Sequence, residues 1–494
     1  MIRTLLKVAG ATVGVLLIAA GVLFAFGARV VMDGGGGLHV RFVKSADEQA
    51  EEIARHREAQ RAQPPAPVDA PPAAALPGSP AASPGSPAAS PGLPAASPDP
   101  LPSPLPSSSP GWPSFRGPAR DGHYRGPIRT DWPAGGLTPM WRQPAGGGYA
   151  SFVTAGGRAF TIEQRGPQEV AAAYDIATGR ELWTSRWDAA FKEMMGGDGP
   201  RATPTWDAGR VYVLGATGEL RALDEASGRL LWRVNILQDN GASNLQWGMA
   251  AAPLIVDDTV VVVPGGPGGR SVVAYDKSTG ARVWAALDDV AAYSSPMLVT
   301  IDGVRQILVF TASRLAGLTP DGTSVLWEYP WKTSFDVNAS QPLLLGGNRL
   351  FLSTGYGTGS AVIELTRERG AARFSVKEVW RNIAMKNQFT SSVLHDGFIY
   401  GLDEAILACV DAATGERKWK GGRYGYGQVM LADGHLIVLT EGGDMALVRA
   451  TPEAHREIAR FPLFDAKTWN HPAISDGILL VRNVEEMAAF DLRR

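Results

Sequence analysis

Cysteine is almost missing from this chain: one residue, Cys409, in 494. No intramolecular disulfide can form, so stability outside a reducing compartment has to come from packing. The neighbours Ile406-Leu407-Ala408 and Val410 read as a buried strand, which makes Cys409 a small core hydrophobe rather than a reactive thiol. Charge is scarce too. Asp, Glu, Lys and Arg make up 19% of the residues, 47 basic against 49 acidic, with no basic block. A nucleic-acid partner leaves an electrostatic footprint, and its absence argues against that class. The 7 His residues are scattered without a pair at metal-ligand spacing, so no metal site is expected; His395 and His435 flank turns and read as surface residues. No Gly-x-Ser-x-Gly elbow occurs. Gly265-Gly266-Pro267-Gly268-Gly269 follows a strand pattern but opens no helix, so it is a loop and not a phosphate cradle. No catalytic set stands out.

What is abundant is glycine (58) and proline (36), the texture of turn-rich β structure plus a low-complexity segment. Five regions follow. Residues 1–7 carry Arg3 and Lys7 ahead of an uncharged apolar run, residues 8–26. That run approaches the ~20 residues a bilayer crossing needs, and the positive-inside bias leaves the N-terminus in the cytoplasm. A single-pass anchor in a cytoplasmic (inner) membrane is expected, with the rest on the periplasmic or extracytoplasmic side. A cleaved signal peptide is the competing reading, since Ala25-Phe26-Gly27 offers small residues at the cleavage positions. Residues 27–63 are a juxtamembrane segment whose part from Ser45 to Gln63 predicts a short, charged, solvated helix. Residues 64–110 are rich in Pro, Ala and Ser with almost no charge, a disordered linker that at roughly 3.1 Å per residue reaches on the order of 100 Å.

Residues 111–494 are different. Four segments share the pattern Asp-x-x-Thr/Ser-Gly-x-x-x-Trp with identical spacing: Asp175, Gly179 and Trp183; Asp224, Gly228 and Trp232; Asp276, Gly280 and Trp284; Asp411, Gly415 and Trp419. Looser versions end at Trp327 and Trp380. The Asp suits a turn whose N–H groups need an acceptor, the Gly a positive φ, and the Trp a large ring buried between sheets. Eight turn signals, from Gly156-Gly157 to Asp476-Gly477, recur every forty to fifty residues, each followed by an apolar strand. The reading is all-β: an eight-bladed β-propeller of four-stranded antiparallel blades, expected as a monomer. The last repeat ends at Leu492 without its Trp strand, so Trp141 is expected to close the ring, with residues 112–132 lying across the surface.

The repeat resembles the pyrroloquinoline-quinone-like (PQQ-like) β-propellers, a group holding quinoprotein alcohol dehydrogenases and the propeller lipoprotein of outer-membrane protein assembly. The stretch Trp112-Pro113-Ser114-Phe115-Arg116-Gly117-Pro118 with Arg120-Asp121-Gly122 is similar to envelope proteins of one branch. The resemblance implies fold more than activity. In the dehydrogenases it implies a quinone over a Trp, Ca²⁺ held by acidic and amide side chains, and a Cys-Cys lid. Here Trp247 could be a floor and Asp336 or Asn338 could approach a metal, but the Cys pair and an axial Glu are missing.

Loops leading into each innermost strand gather round a propeller axis. They mark Arg201, Gln246, Trp247, Tyr293, Lys332, Asp336, Asn338, Lys386, Asn387, Tyr424, Trp469 and Asn470 as ligand-pocket candidates. The expected function is a non-catalytic binding or scaffold module of the cell envelope, with proteins or peptides as partners and no cofactor. The alternative is a PQQ- and Ca²⁺-dependent oxidoreductase.

Overall fold

The computed structural model describes residues 28–42, 44–62, 111–133, 135–367 and 373–494. The expected membrane run (8–26) and Pro-rich linker (64–110) lie outside the described residues. Among the described residues no helix is long and apolar enough to cross a membrane.

Eight antiparallel sheets form successive blades, at residues 153–188, 205–235, 254–286, 297–330, 343–382, 393–423, 428–462 and 473–491. The middle strands are continuous apolar runs because both faces are covered by neighbouring blades: Val211, Tyr212, Val213 and Leu214 are all buried. Outermost strands alternate. In Leu230–Asn235 only Trp232 is buried. The turn between the first two strands takes positive φ at both central residues, as in Asp302-Gly303 (47° and 74°) and Asp396-Gly397 (48° and 82°), the twist a two-residue hairpin needs.

The repeat motif explains how blades join. Asp175 Oδ1 accepts from the Thr178 N–H at 2.8 Å and its hydroxyl at 2.7 Å, closing the turn that leads to the outer strand. The Trp then docks on the next blade. Trp183 Nε1 donates to the Glu225 carbonyl at 2.8 Å, and its ring covers Gly228, where a Cβ would collide with the indole. Trp232 repeats this on Lys277 and Gly280, and Trp380 on Ala412 and Gly415. The glycine therefore serves two needs, a left-handed φ of 70° at Gly228 and room for the neighbour's indole. Trp419 donates to Thr451, whereas Trp327 turns to Gln306 within its own blade.

Ring closure uses the same device. Residues Trp141–Pro144 pair antiparallel with Glu486–Asp491 as the outermost strand of the eighth blade. Trp141 Nε1 donates to Ile176 O at 2.8 Å, and its ring lies over Gly179 of the first blade. N- and C-terminal parts of the propeller thus share one sheet, which removes an open edge.

Two segments pack differently from the expectation. Residues 111–126 do not lie across the surface; they plug the centre. Trp112 is 2% exposed, His123–Tyr124 adds a parallel strand to the innermost strand of the seventh blade, and Arg116 and Arg120 are buried. Arg120 donates to Pro296 O (2.8 Å), Ala252 O (3.3 Å), Thr205 Oγ1 (3.2 Å) and Pro253 O. One guanidinium so bridges blades two, three and four, and carbonyls at the strand starts repay its burial. The charged helix, α1 (Ala46–Ala62), is not solvated all round. Ile53 (1% exposed) and Arg57 (2%) face the seam between blades eight and one. Gln49 Nε2 donates to Ala145 O and Val484 O, and Arg57 meets Glu181 at 3.3 Å. Beneath lies a buried set: Arg165 touches Glu163 and Glu181, each at 2.6 Å, and Arg482 approaches Glu163 at 3.7 Å. Burial alone would raise Glu163, but Arg165, Arg482 and Arg57 hold it down to about 2.

Candidate functional site: an aromatic cavity on the axis

Loops leading into the innermost strands, and loops joining second to third strands, open on one face. Between them lies an axial cavity of about 620 Å³. Phe115 of the central plug lines it from below, and the turn of an N-terminal hairpin, β1 (Ala28–Met32) with β2 (Leu38–Phe42), reaches in from the other side. Nine aromatic side chains line it: Phe115, Tyr149, Trp247, Tyr293, Phe335, Tyr356, Phe389, Tyr426 and Trp469. Four form a run of ring contacts, Tyr426–Phe389 (5.9 Å), Phe389–Trp469 (4.6 Å) and Trp469–Tyr149 (5.1 Å). Trp247 and Tyr293 pack at 5.7 Å on the opposite side.

Positive charge stands in the wall. The Arg201 guanidinium stacks on Phe191 (4.7 Å) and Tyr149 (5.5 Å) and donates to Gly197 O (2.5 Å) and Gly199 O. Lys467 Nζ sits 4.3 Å from the Trp469 ring centre, and burial pushes its pKa down to about 8. His471 is 3% exposed, with Nδ1 bonded to Pro472 O at 2.6 Å; burial, with Arg116 nearby, pushes it down to about 3 and keeps it neutral.

Of the residues singled out from sequence, Arg201, Gln246, Trp247, Tyr293 and Trp469 line the cavity. The others stand elsewhere. Asn338 and Asn470 are fully buried loop clamps, donating to Thr311 O (2.8 Å) and Ala150 O (2.9 Å). Asn387 holds Leu402 O and the Ser392 hydroxyl. Lys386 pairs with buried Asp403 at 2.5 Å. Tyr424 donates to Glu457 at 2.6 Å. Lys332 and Asp336 are exposed on a loop whose Phe335 and Val337 face the cavity instead. Tyr356 and Glu404 fall outside the sequence reading because they sit between second and third strands. Their positive φ (56° and 59°) marks tight turns on the same face. Phe115 and the Gly34 turn carry no sequence signal for the axis.

Cys409 is wholly buried, and burial pushes its thiol up to about 12, so it takes no part.

Eight such blades around an axial pocket, five of their seams closed by an indole on a glycine, define a PQQ-like β-propeller. A family model described as outer membrane protein assembly factor BamB matches residues 167–421, just over half of the chain, and the chain belongs to that family. A curated relative, quinohemoprotein alcohol dehydrogenase ADH-IIG of Pseudomonas putida, is 32% identical over 127 residues, 24% of this chain. The match spans only 17% of that enzyme's length. Among solved structures, BamB from Moraxella catarrhalis aligns with TM-score 0.51 and 14% identity, covering 72% of this chain and 98% of that one. A quinohemoprotein alcohol dehydrogenase from Comamonas testosteroni aligns with TM-score 0.55 and 13% identity, covering 78% and 81%. At these identities the likeness is one of fold.

The rings suit a flat conjugated ligand. They do not suit a quinone–calcium pair. Among the described residues no three Asp, Glu, His or Cys side chains converge. Of the carboxylates at or beside the cavity, Glu441 accepts from the Trp469 indole (3.0 Å) and the Gly34 and Tyr426 N–H groups (2.6 and 3.2 Å) and Asp33 from its own turn, while Glu404 lines the wall on a separate turn. Ca²⁺ takes six to eight oxygens, several of them anionic.

Proposed function

We propose that this protein is a non-catalytic binding or scaffold propeller of the cell envelope, with the axial cavity as its point of engagement. One observation carries the reading: a cavity of about 620 Å³ walled by nine aromatic side chains and the Arg201 guanidinium, with Lys467 packed against Trp469, and without a nucleophile–base pair or metal-donor cluster among the described residues. Such a wall binds by apolar area and stacking and has nothing positioned to move a proton or electron. The BamB-like family supports a protein or peptide partner in the envelope.

The reading extends to location. The apolar run at residues 8–26 anchors the chain in the cytoplasmic membrane, and the hairpin that follows keeps Val30, Leu38, Val40 and Phe42 about two-thirds exposed. An apolar hairpin face next to a bilayer anchor suits the lipid interface, which would hold the cavity's mouth near the membrane.

Calorimetric titration of the full-length protein with PQQ, with and without Ca²⁺, tests the choice between binding and catalysis. No calcium-dependent binding and no dye reduction are expected. Stoichiometric, calcium-dependent binding with dye reduction, both lost in Trp247→Ala, would replace this reading with the quinoprotein oxidoreductase.

A further inference from the structure

The turn between the two hairpin strands behaves as a ligand. Gly34 N–H donates to Glu441 Oε1 at 2.6 Å, and Gln388 Nε2 donates to Gly34 O at 3.1 Å. Both backbone groups of one residue are therefore read by side chains of the wall. The residue's lack of a side chain is read as well. A Cβ at Gly34 would come within 2.5 Å of the Tyr426 ring, and one at Gly35 within 3.3 Å. The turn carries its own shape: Asp33 Oδ1 accepts from Gly35 N–H (3.0 Å) and Gly37 N–H (2.6 Å), and Asp33 N–H bonds Gly37 O at 2.9 Å. Further out, Arg41 donates to Asp465 O at 2.9 Å.

An isolated two-stranded hairpin is marginal in water. This one also exposes Val30, Leu38, Val40 and Phe42, so its position depends on what holds the turn. The wall on that side comes from residues between blades five and eight, while Arg201, Trp247, Tyr293 and Phe335 still border open cavity. The site is thus partly filled by the chain itself and retains room.

We propose that the Gln388–Tyr426–Glu441 wall is a receptor site for a glycine-containing peptide turn. It holds the chain's own Asp33–Gly37 turn in cis and accepts a like turn from a partner polypeptide when the cis turn leaves. This deepens the reading of the cavity as a binding site and rests on it. The ligand class is set by three features: a free N–H facing a carboxylate, a carbonyl facing an amide, and a residue without Cβ against the tyrosine. Tethering gives the cis turn an effective concentration in the millimolar range, so a partner gains access only where the cis contact is weakened.

The test uses the full-length chain in detergent and a fluorescent synthetic peptide of residues 28–42, followed by anisotropy. Wild type should bind the peptide weakly. Gly34→Val in the chain ejects the cis turn and should tighten peptide binding by about ten-fold or more. Adding Glu441→Gln to that chain, or placing Gly34→Val in the peptide, should abolish the gain. Equal affinity for wild-type and Gly34→Val chains, or equal binding of the peptide carrying Gly34→Val, overturns the proposal. Amide exchange on the unaltered chain guards against a misfolded variant: the Gly34 N–H should be protected, and Glu441→Gln should release it. An unprotected Gly34 in wild type also overturns it. Peptide binding that survives Tyr426→Ala and Glu441→Gln together lies elsewhere and removes the cavity as the binding site. Absent peptide binding, with partner labelling from within the cavity retained, removes only the turn as ligand class.

Discussion

Replacing Arg120 by Met should lower the melting temperature by about 4–5 °C, and the figure can be worked from its contacts. The side chain is 3% exposed, lacks a carboxylate partner and spans three blades. Burial pushes its pKa down to about 9, so it stays cationic at neutral pH. Met keeps the stem and removes every donor. Pro253 O keeps the Thr205 hydroxyl at 2.6 Å, but Ala252 O and Pro296 O lose the guanidinium. Two orphaned acceptors at about 1–3 kcal/mol each, offset by no longer burying a charge, leave a loss of roughly 3–4 kcal/mol. A propeller of roughly 380 residues unfolds with about 0.8 kcal/mol/K of entropy, so the loss translates into a shift of about 4–5 °C. Differential scanning calorimetry of both proteins in one buffer is the assay. Arg120→Lys, with a single ammonium in place of the fork, should recover only part of the shift. A Met variant within about 1 °C of wild type would refute the role given to the plug.

Other outcomes follow from the same contacts. Trp141→Ala removes the indole that closes the ring on Gly179 and should cost about 3–5 kcal/mol by denaturant unfolding; no change would mean the seam is held by other contacts. Arg57→Ala uncouples α1 from Glu181 and should raise proteolysis of residues 46–62 without unfolding the blades; unchanged cleavage would contradict the docked helix. His471, neutral down to about pH 3, takes up its proton more readily unfolded, so its contribution is full above about pH 6.5 and falls by about 1.4 kcal/mol per unit below it. Relative to His471→Gln, wild type should therefore lose stability between about pH 6 and pH 4. Glu169 works the other way: burial raises it to about 7, so its contribution falls as pH climbs from about 4.5 to 7, and Glu169→Gln should flatten that limb. Matching slopes for the two pairs would contradict both assignments.

The blades are legible in the sequence because one motif carries everything local about them. Asp, Gly and Trp within nine residues specify a turn, a left-handed φ and a docking ring, and all three act within a blade or on the next. The plug is not legible. Arg116 and Arg120 lie in a Gly- and Pro-rich stretch without period, and their acceptors, among them Thr205, Pro253, Pro296 and Ser392, are far off in sequence. Helix α1 reads as solvated because Arg57 is an ordinary surface residue until Glu181 is brought beside it. At the cavity, Trp247, Tyr293 and Trp469 are legible because they sit in loops leading to inner strands. Tyr356 and Glu404 escape because they belong to the other loop class on that face, the turns between second and third strands.

Photo-crosslinking from inside the cavity tests the central claim most directly. Phe335 borders the cavity and is 76% exposed, so a benzoyl-phenylalanine there changes little; Val283, 54% exposed on an outer strand, is the control. In cells producing the full chain, the account predicts a discrete protein adduct from position 335, lost in Trp247→Ala, and none from position 283. The same adduct from both positions, or from neither, would contradict the axial cavity as the place where this propeller engages its partner.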